Sequence, residues 1–332
     1  MSTPIAASPS ATPSATRAPS HALMPNLSVD LAPGAKRELI LRNPVMTASG
    51  TSSNGLEFAR LFDINRLGGI LSKGVTLKPR RGNPTPRIVE TPAGMLNSIG
   101  FQNIGVRKLL SEVATVWETW DVPVVVNMLG DTVDEFARLA QVLDGAPGVA
   151  GLEVNISCPN LDVGGVAFGR DPAAAARVVE AVVTSTTLPV IAKLTPDVTD
   201  ISVVARACEE AGADALCVAN SFVGMNIDVN TRRPRTNRPV AGLTGPAIKP
   251  LALRLVWETA RAVEIPIIGC GGIVDGRDAV EFLLAGASAI QVGTASFRDP
   301  YASIRVLEEL IEYCRDNGVT DVSDLIGAVQ VD

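Results

Sequence analysis

Histidine is almost absent from this 332-residue chain: the one example, His21, lies in a stretch of Ala, Pro, Ser and Thr. Chemistry that needs an imidazole, such as a Ser-His-Asp triad or an H-E-x-x-H zinc site, is therefore all but excluded. Proton transfer falls to Cys, Lys, Asp, Glu, Tyr, Ser or a cofactor. Aromatic residues are scarce as well, at 4% against 46% hydrophobic residues overall, so the core must be built from Val, Ile, Leu and Ala. No apolar run approaches the roughly 20 residues of a membrane-spanning helix. Nor is there a basic run on this chain of net charge −6, which argues against nucleic acid as the main partner. The five cysteines, Cys158, Cys208, Cys217, Cys270 and Cys314, are odd in number, far apart and without a C-x-x-C pair. They make a poor disulfide framework, zinc site or iron–sulfur site, and they suit a reducing cytoplasm.

What is present is a rhythm. Residues 1–27 stand outside it: rich in Ala, Pro, Ser and Thr, they bury almost nothing and are expected to be a disordered tail, with too many prolines and too little basic charge for a transit peptide. From residue 39 onward, short β-branched runs end in small or polar residues, and a helical stretch follows each. The runs are NPVMTASG (43–50), GILSKG (69–74), VPVVVNML (122–129), GLEVNIS (151–157), LPVIAKL (188–194), DALCVAN (214–220), IPIIGCGGI (265–273) and SAIQVGT (288–294). Helices are expected over 105–119, 132–143, 172–185, 199–212, 249–263, 275–285 and 301–316, several opening on an Asp or Thr suited to an N-cap. Strands that are apolar throughout, rather than alternating, indicate a parallel sheet covered by helices. Eight such units predict a (β/α)8 TIM barrel forming one domain over residues 28–332. A doubly wound open sheet is less consistent, because no G-x-G-x-x-G follows the first run.

In such a barrel the active site is assembled just past the C-terminal ends of the strands. Those positions hold Ala48, Ser49 and Gly50; Lys73; Asn127; Asn155, Cys158 and Asn160; Lys193; Asn220 and Ser221; Gly271 and Gly272; Gly293 and Thr294. Lysines, asparagines, a cysteine and paired glycines converge, with carboxylates nearly absent. That set suits an anion edged with hydrogen-bonding groups and is unlike a glycosidase or a magnesium site. The glycines after the last two strands allow backbone N–H groups to approach a phosphate, as loops seven and eight of these barrels commonly do. Lys73 and Lys193 close apolar strands, where an unpaired charge would be costly, so an anionic ligand or a Schiff base is expected beside them. The loop after Cys158, PNLDVGGVAFGRDP, is long and glycine-bearing and reads as a lid.

These residues also carry a pattern. The segments SKGVTLKPRRGNPTPRIVETPAGMLNSIGFQN (72–103), EVNISCPN (153–160), NSFVGMNIDVNTRRP (220–234), GLTGPAIKPLALR (242–254) and IPIIGCGGI (265–273) resemble the dihydroorotate dehydrogenases over about residues 39–310. The forms GNPTPRIVETPAGMLNSIG and GMNIDVNTRRP are most similar to the class 1B, NAD-linked catalytic subunits. The resemblance implies a barrel holding FMN and oxidising dihydroorotate to orotate in pyrimidine synthesis. It makes Cys158 the base that takes the C5 proton, and it places Lys73 beside flavin and substrate. Asn97, Asn155, Asn160, Asn220 and Ser221 match the substrate shell. Ala48, Ser49, Lys73, Asn127, Asn155, Lys193, Gly245, Gly271, Gly272, Gly293 and Thr294 match the FMN shell. It further implies a second subunit carrying FAD and a [2Fe-2S] cluster, in a heterotetramer built on a homodimer of this chain. A class 1A-like, fumarate-dependent enzyme, a flavoenzyme acting on a related dihydropyrimidine, a phosphosugar aldolase with a Lys193 Schiff base and a non-catalytic FMN-binding subunit remain the alternatives.

Overall fold

The computed structural model describes residues 24–157 and 168–331. Each of the eight expected runs contains a strand: β1 Val45–Thr47, β2 Ile70–Leu71, β3 Val124–Met128, β4 Gly151–Asn155, β5 Val190–Lys193, β6 Ala215–Val218, β7 Ile267–Cys270 and β8 Ala289–Val292. All are parallel and pair in the order β1-β8-β7-β6-β5-β4-β3-β2. A parallel bridge between Met46 and Gly69 joins the two ends, so the sheet closes on itself. At that seam Gly68 N–H donates to Val45 O (2.9 Å) and Thr47 N–H to Gly69 O (3.1 Å). Strands β3 to β6 and β8 are buried at every position, which is what an unbroken apolar run requires: helices cover one face and the barrel interior the other.

Helices Val133–Leu143, Pro172–Val183, Ile201–Glu210, Lys249–Ala260, Gly276–Leu284 and Ala302–Asp316 fall within the expected stretches. The stretch at 105–119 is helical from Val106 to Trp117 but carries a π turn over Leu110–Ala114. The N-terminal signals act as sequence chemistry requires. Asp171 accepts from the N–H groups of Ala173 (2.9 Å) and Ala174 (3.4 Å), with Pro172 at the first helical position where no N–H is needed. Asp171→Ala is expected to destabilise the protein by about 1 kcal/mol in urea titration with an unchanged slope.

Besides a short antiparallel pair of Ile227–Asp228 with Arg233–Pro234, two larger features lie outside the eight-unit rhythm. Val29–Asp30 and Ile40–Leu41 form an antiparallel pair, and Leu39 packs at Gly151, the first residue of β4, so this hairpin closes the N-terminal end of the barrel. The packed body begins earlier than the expected boundary at residue 28: Asn26 already bridges to Asp321, and Leu27 is buried. The second feature is a four-stranded antiparallel sheet in the order 222–224, 241–244, 94–97, 88–91. Its strands belong to the excursions that follow β2 and β6. Parallel strands all leave at the same end, so this sheet belongs to the C-terminal mouth.

Candidate active site

The mouth holds a cleft with about 580 Å³ of empty space, open to solvent on one side. Its walls come from the strand ends. Ala48 and Ser49 follow β1, Lys193 closes β5, and Asn220 and Ser221 follow β6. Gly245 enters from the excursion, Gly271 and Gly272 follow β7, and Gly293 and Thr294 follow β8. Thr51, Thr244, Ile248, Cys270 and Gln291 also line the cleft and were not singled out from the sequence.

Two of these glycines are required by the backbone itself. Gly271 and Gly272 have φ of 137° and 82°, and a Cβ on Gly272 would stand 2.7 Å from the Lys249 backbone nitrogen. Among the described residues, the N–H groups of Gly272, Gly293 and Thr294 donate to no protein acceptor. A cleft edge with free N–H donors has the chemistry an anion such as a phosphate needs.

Asn155, Ser157 and Asn220 form one hydrogen-bonded cluster. Ser157 Oγ donates to Asn155 Oδ1 (2.6 Å), and Asn220 Nδ2 donates both to Asn155 Oδ1 (3.3 Å) and to Ser157 Oγ. Asn220 Oδ1 accepts from the Ser221 N–H at 2.7 Å, so the amide has one orientation. The antiparallel sheet brings Asn97 to the same region. Its Nδ2 donates to Gly242 O (3.3 Å), and a Cβ on Gly242 would lie 2.4 Å from Ser221 Oγ and 3.5 Å from Asn97 Nδ2. Gly242 is what lets the Ser221 and Asn97 side chains approach. Asn97 and Asn155 stand beside the cleft rather than in its wall. Lys73, just past β2, is half-buried; burial and the nearby Arg87 charge both pull its ammonium below the ordinary lysine range. Cys158, Asn160 and the part of the loop read as a lid up to residue 167 lie outside the described residues, while its last part forms a turn over Phe168–Arg170 that leads into the Asp171-capped helix.

Below the cleft runs a buried polar chain. Glu153, fully buried in the middle of β4, accepts from Asn127 Nδ2 at 2.6 Å and from Gln291 Nε2 at 2.7 Å. Gln291 Oε1 accepts from Lys193 Nζ at 3.1 Å, and Lys193 Nζ lies 3.6 Å from Glu153 Oε1. This corrects the expectation of a site nearly free of carboxylates: Lys193 has an internal counter-ion. Asn127 has its donor committed to Glu153 and lies below the cleft wall. Burial disfavours the Lys193 ammonium, but Cys217, Glu153 and Cys270 facing it more than offset that and hold its pKa above the usual lysine value. The Cys217 thiol is itself pushed far up, first by burial. Cys270 is drawn down to about 7, chiefly by its hydrogen bond with Cys217 and against its burial.

A closed eight-stranded parallel barrel, with free N–H donors, amide side chains and a buried lysine gathered at its C-terminal mouth, is a cofactor-binding (β/α)8 enzyme. The chain belongs to the dihydroorotate dehydrogenase family: the model of that family matches residues 36–314. Three curated relatives bear the name dihydroorotate dehydrogenase B (NAD(+)), catalytic subunit. That from Geobacter sp. strain M21 is 52% identical over 92% of this chain and 99% of its own. That from Geobacter metallireducens is 54% identical over 92% of this chain and 99% of its own. The Pelobacter propionicus protein is 52% identical over 93% of this chain and 100% of its own. A crystal structure of the Eimeria tenella DHODH with ferulenol superposes with a TM-score of 0.76, covering 91% of this chain and 88% of that one, at 23% identity. That likeness carries the barrel fold.

Proposed function

We propose that this chain is the FMN-dependent catalytic subunit that oxidises (S)-dihydroorotate to orotate in de novo pyrimidine biosynthesis. The observation that carries this reading is one cleft lined by two chemically distinct sets of groups. Backbone N–H groups of Gly272, Gly293 and Thr294, with no acceptor among the described residues, line it together with Ser221 and with Asn220, which is hydrogen-bonded to the neighbouring Asn155. The donor set fits FMN: a phosphate end, an amide-edged ring, and the buried cation of Lys193. Ala48, Ser49, Lys193, Gly245, Gly271, Gly272, Gly293 and Thr294 would hold it, with Lys73, Asn127 and Asn155 completing the shell. FMN supplies the two-electron acceptor that takes the hydride from C6 of the substrate.

The protein's own part is to bind, orient and deprotonate. Orotate and its precursor are flat anions edged with donors and acceptors, and asparagine offers both. Asn97, Asn155, Asn160, Asn220 and Ser221 bind those edges, and Lys73 balances the carboxylate charge. Analogues that lack the edges leave these amides unpaired and are rejected. Cys158 takes the C5 proton as its thiolate. The electrons leave through an NAD-linked partner carrying FAD and a [2Fe-2S] cluster, in a heterotetramer built on a homodimer of this chain in the cytoplasm. Among the described residues no cluster of three or more His, Cys, Asp or Glu could hold a metal, and no helix is long and apolar enough to cross a membrane.

The test is spectroscopic. The purified chain is expected to be yellow, and anaerobic dihydroorotate to bleach the flavin bands where dihydrouracil does not. Bleaching by neither would leave a binding module; a colourless chain that takes up no FMN would sink the reading. Co-purification with an iron–sulfur flavoprotein subunit separates the NAD-linked form from a fumarate-dependent one.

A further inference from the structure

Glu153 interrupts an otherwise apolar strand and has no part in the reaction as set out above. Its surroundings are ordered in one way only. Asn127 Nδ2 and Gln291 Nε2 both donate to the carboxylate, and Gln291, its amide nitrogen thus fixed, must turn its carbonyl oxygen to Lys193. Lys193 Nζ therefore gives one proton to Gln291, lies 3.6 Å from Glu153 and faces Cys217, and the residue lines the cleft. A lysine this buried is costly to keep charged unless an anion stands beside it. The groups that face it and can titrate are Glu153 from β4, Cys217 from β6 and Cys270 from β7.

We propose that Glu153 is a positioning residue: locked by Asn127 and Gln291, its carboxylate keeps Lys193 a fixed, aimed cation at the cleft floor before any anionic cofactor arrives. The assignment rests on the FMN reading above. Without the carboxylate, Lys193 must either recruit its counter-charge from the ligand or lose its proton. With it, the cation is pre-organised and needs no rearrangement when negative charge is added to the ligand by reduction. The orientation of Gln291 is part of the device, since a flipped amide would turn its NH2 group towards the ammonium.

The sign of the effect follows from burial. In Glu153→Gln the carboxylate is gone, and burial then lowers the affinity of Lys193 for its proton, opposed only by the Cys217 and Cys270 thiols. Lys193 stays charged at low pH and becomes neutral as pH rises, so the loss of cofactor binding must grow with pH. FMN titration of the apoprotein is expected to show wild type and Glu153→Gln within about 3-fold at pH 6, and at least 10-fold apart at pH 9. Where the loss falls tenfold more on reduced than on oxidised flavin, the midpoint potential drops by about 30 mV. Lys193→Met is expected to be weak at every pH, Glu153→Gln to converge on it at high pH, and the double variant to match Lys193→Met throughout. Repeating the series on a Cys270→Ala background removes the neighbouring thiol that titrates near 7.

A Glu153→Gln curve parallel to wild type at all pH values, or a Glu153→Gln loss that persists on the Lys193→Met background, would overturn the assignment and leave Glu153 as packing. Wild-type apoprotein that binds no FMN would instead take down the functional reading, and this one with it. If Glu153→Gln does not fold, Gln291→Met removes the bridge and leaves both charges. It is expected to show the same pH-dependent loss at smaller amplitude, and a flat response there has the same force against the proposal.

Discussion

Cys158→Ser is expected to slow the reduction of bound flavin by dihydroorotate about 10²–10⁴-fold near pH 7, with flavin content unchanged. The C5 proton needs an acceptor, and the sole histidine, His21, lies far from the barrel strands in sequence. A thiol has a reference pKa near 8.5, within reach of neutral pH, whereas a serine hydroxyl does not ionise there. The wild-type rate should therefore rise with pH as the thiol ionises, and the serine variant should lack that limb. Rapid mixing with dihydroorotate under nitrogen, following flavin bleaching from pH 6 to 9, measures both. A second thiol sharpens the test: Cys270 lines the cleft and is drawn down to about 7. If Cys270→Ala abolishes reduction while Cys158→Ser retains the full rate, the base has been misassigned between these two cysteines.

The barrel was legible because of a physical constraint on its strands. A strand with no wet face admits almost nothing but apolar residues, so runs such as VPVVVNML and LPVIAKL announce themselves without any partner in view. The antiparallel sheet at the mouth had no such signal. Its strands, IVET, GMLN, FVG and AGLT, are partly exposed and mix Gly and polar residues with apolar ones, and the pairing that unites them, Asn97 with Gly242, joins segments far apart in the chain. Locally they read as loop. The strand ends were legible for a different reason: in a parallel barrel they must share one mouth, so Asn220, Gly272 and Thr294 could be grouped before any distance was known.

The buried charge was harder. Glu153 stands in plain sight inside GLEVNIS, and a charge in an apolar run should prompt a search for its partner. Its bridge to Lys193 runs through Gln291, 138 residues away in the chain, and no local pattern reports that pairing. Reading each strand end by itself left Lys193 in need of an external anion. The barrel supplies an internal one, because residues two apart on neighbouring strands face the same interior.

The closure of that barrel carries the largest expected effect on folding: Gly68→Ala should lower stability by about 3 kcal/mol or more, beyond ordinary overpacking. A Cβ at residue 68 would stand 1.8 Å from the backbone oxygen of Asn43. No rotamer relieves that contact, because the obstacle is main chain, and that main chain is held. Asn43 Nδ2 donates to Arg66 O at 2.8 Å, Asn43 Oδ1 accepts from Val45 N–H at 3.1 Å, and Gly68 N–H donates to Val45 O at 2.9 Å. Moving either side apart opens the seam between β1 and β2, where the sheet meets itself through the short pairing of Met46 with Gly69. Gly68 has no positive φ, so the penalty is contact alone. Gly151→Ala is the matched control: it lies at the start of β4, and its Cβ would meet nothing nearer than 3.4 Å. At about 2 °C per kcal/mol for a chain of this size, Gly68→Ala should melt roughly 6 °C or more below wild type, with Gly151→Ala close to it. An insoluble Gly68→Ala protein beside a soluble Gly151→Ala protein has the same meaning. Equal melting temperatures for the two would show that the seam yields freely, and that the barrel does not depend on close approach at Gly68.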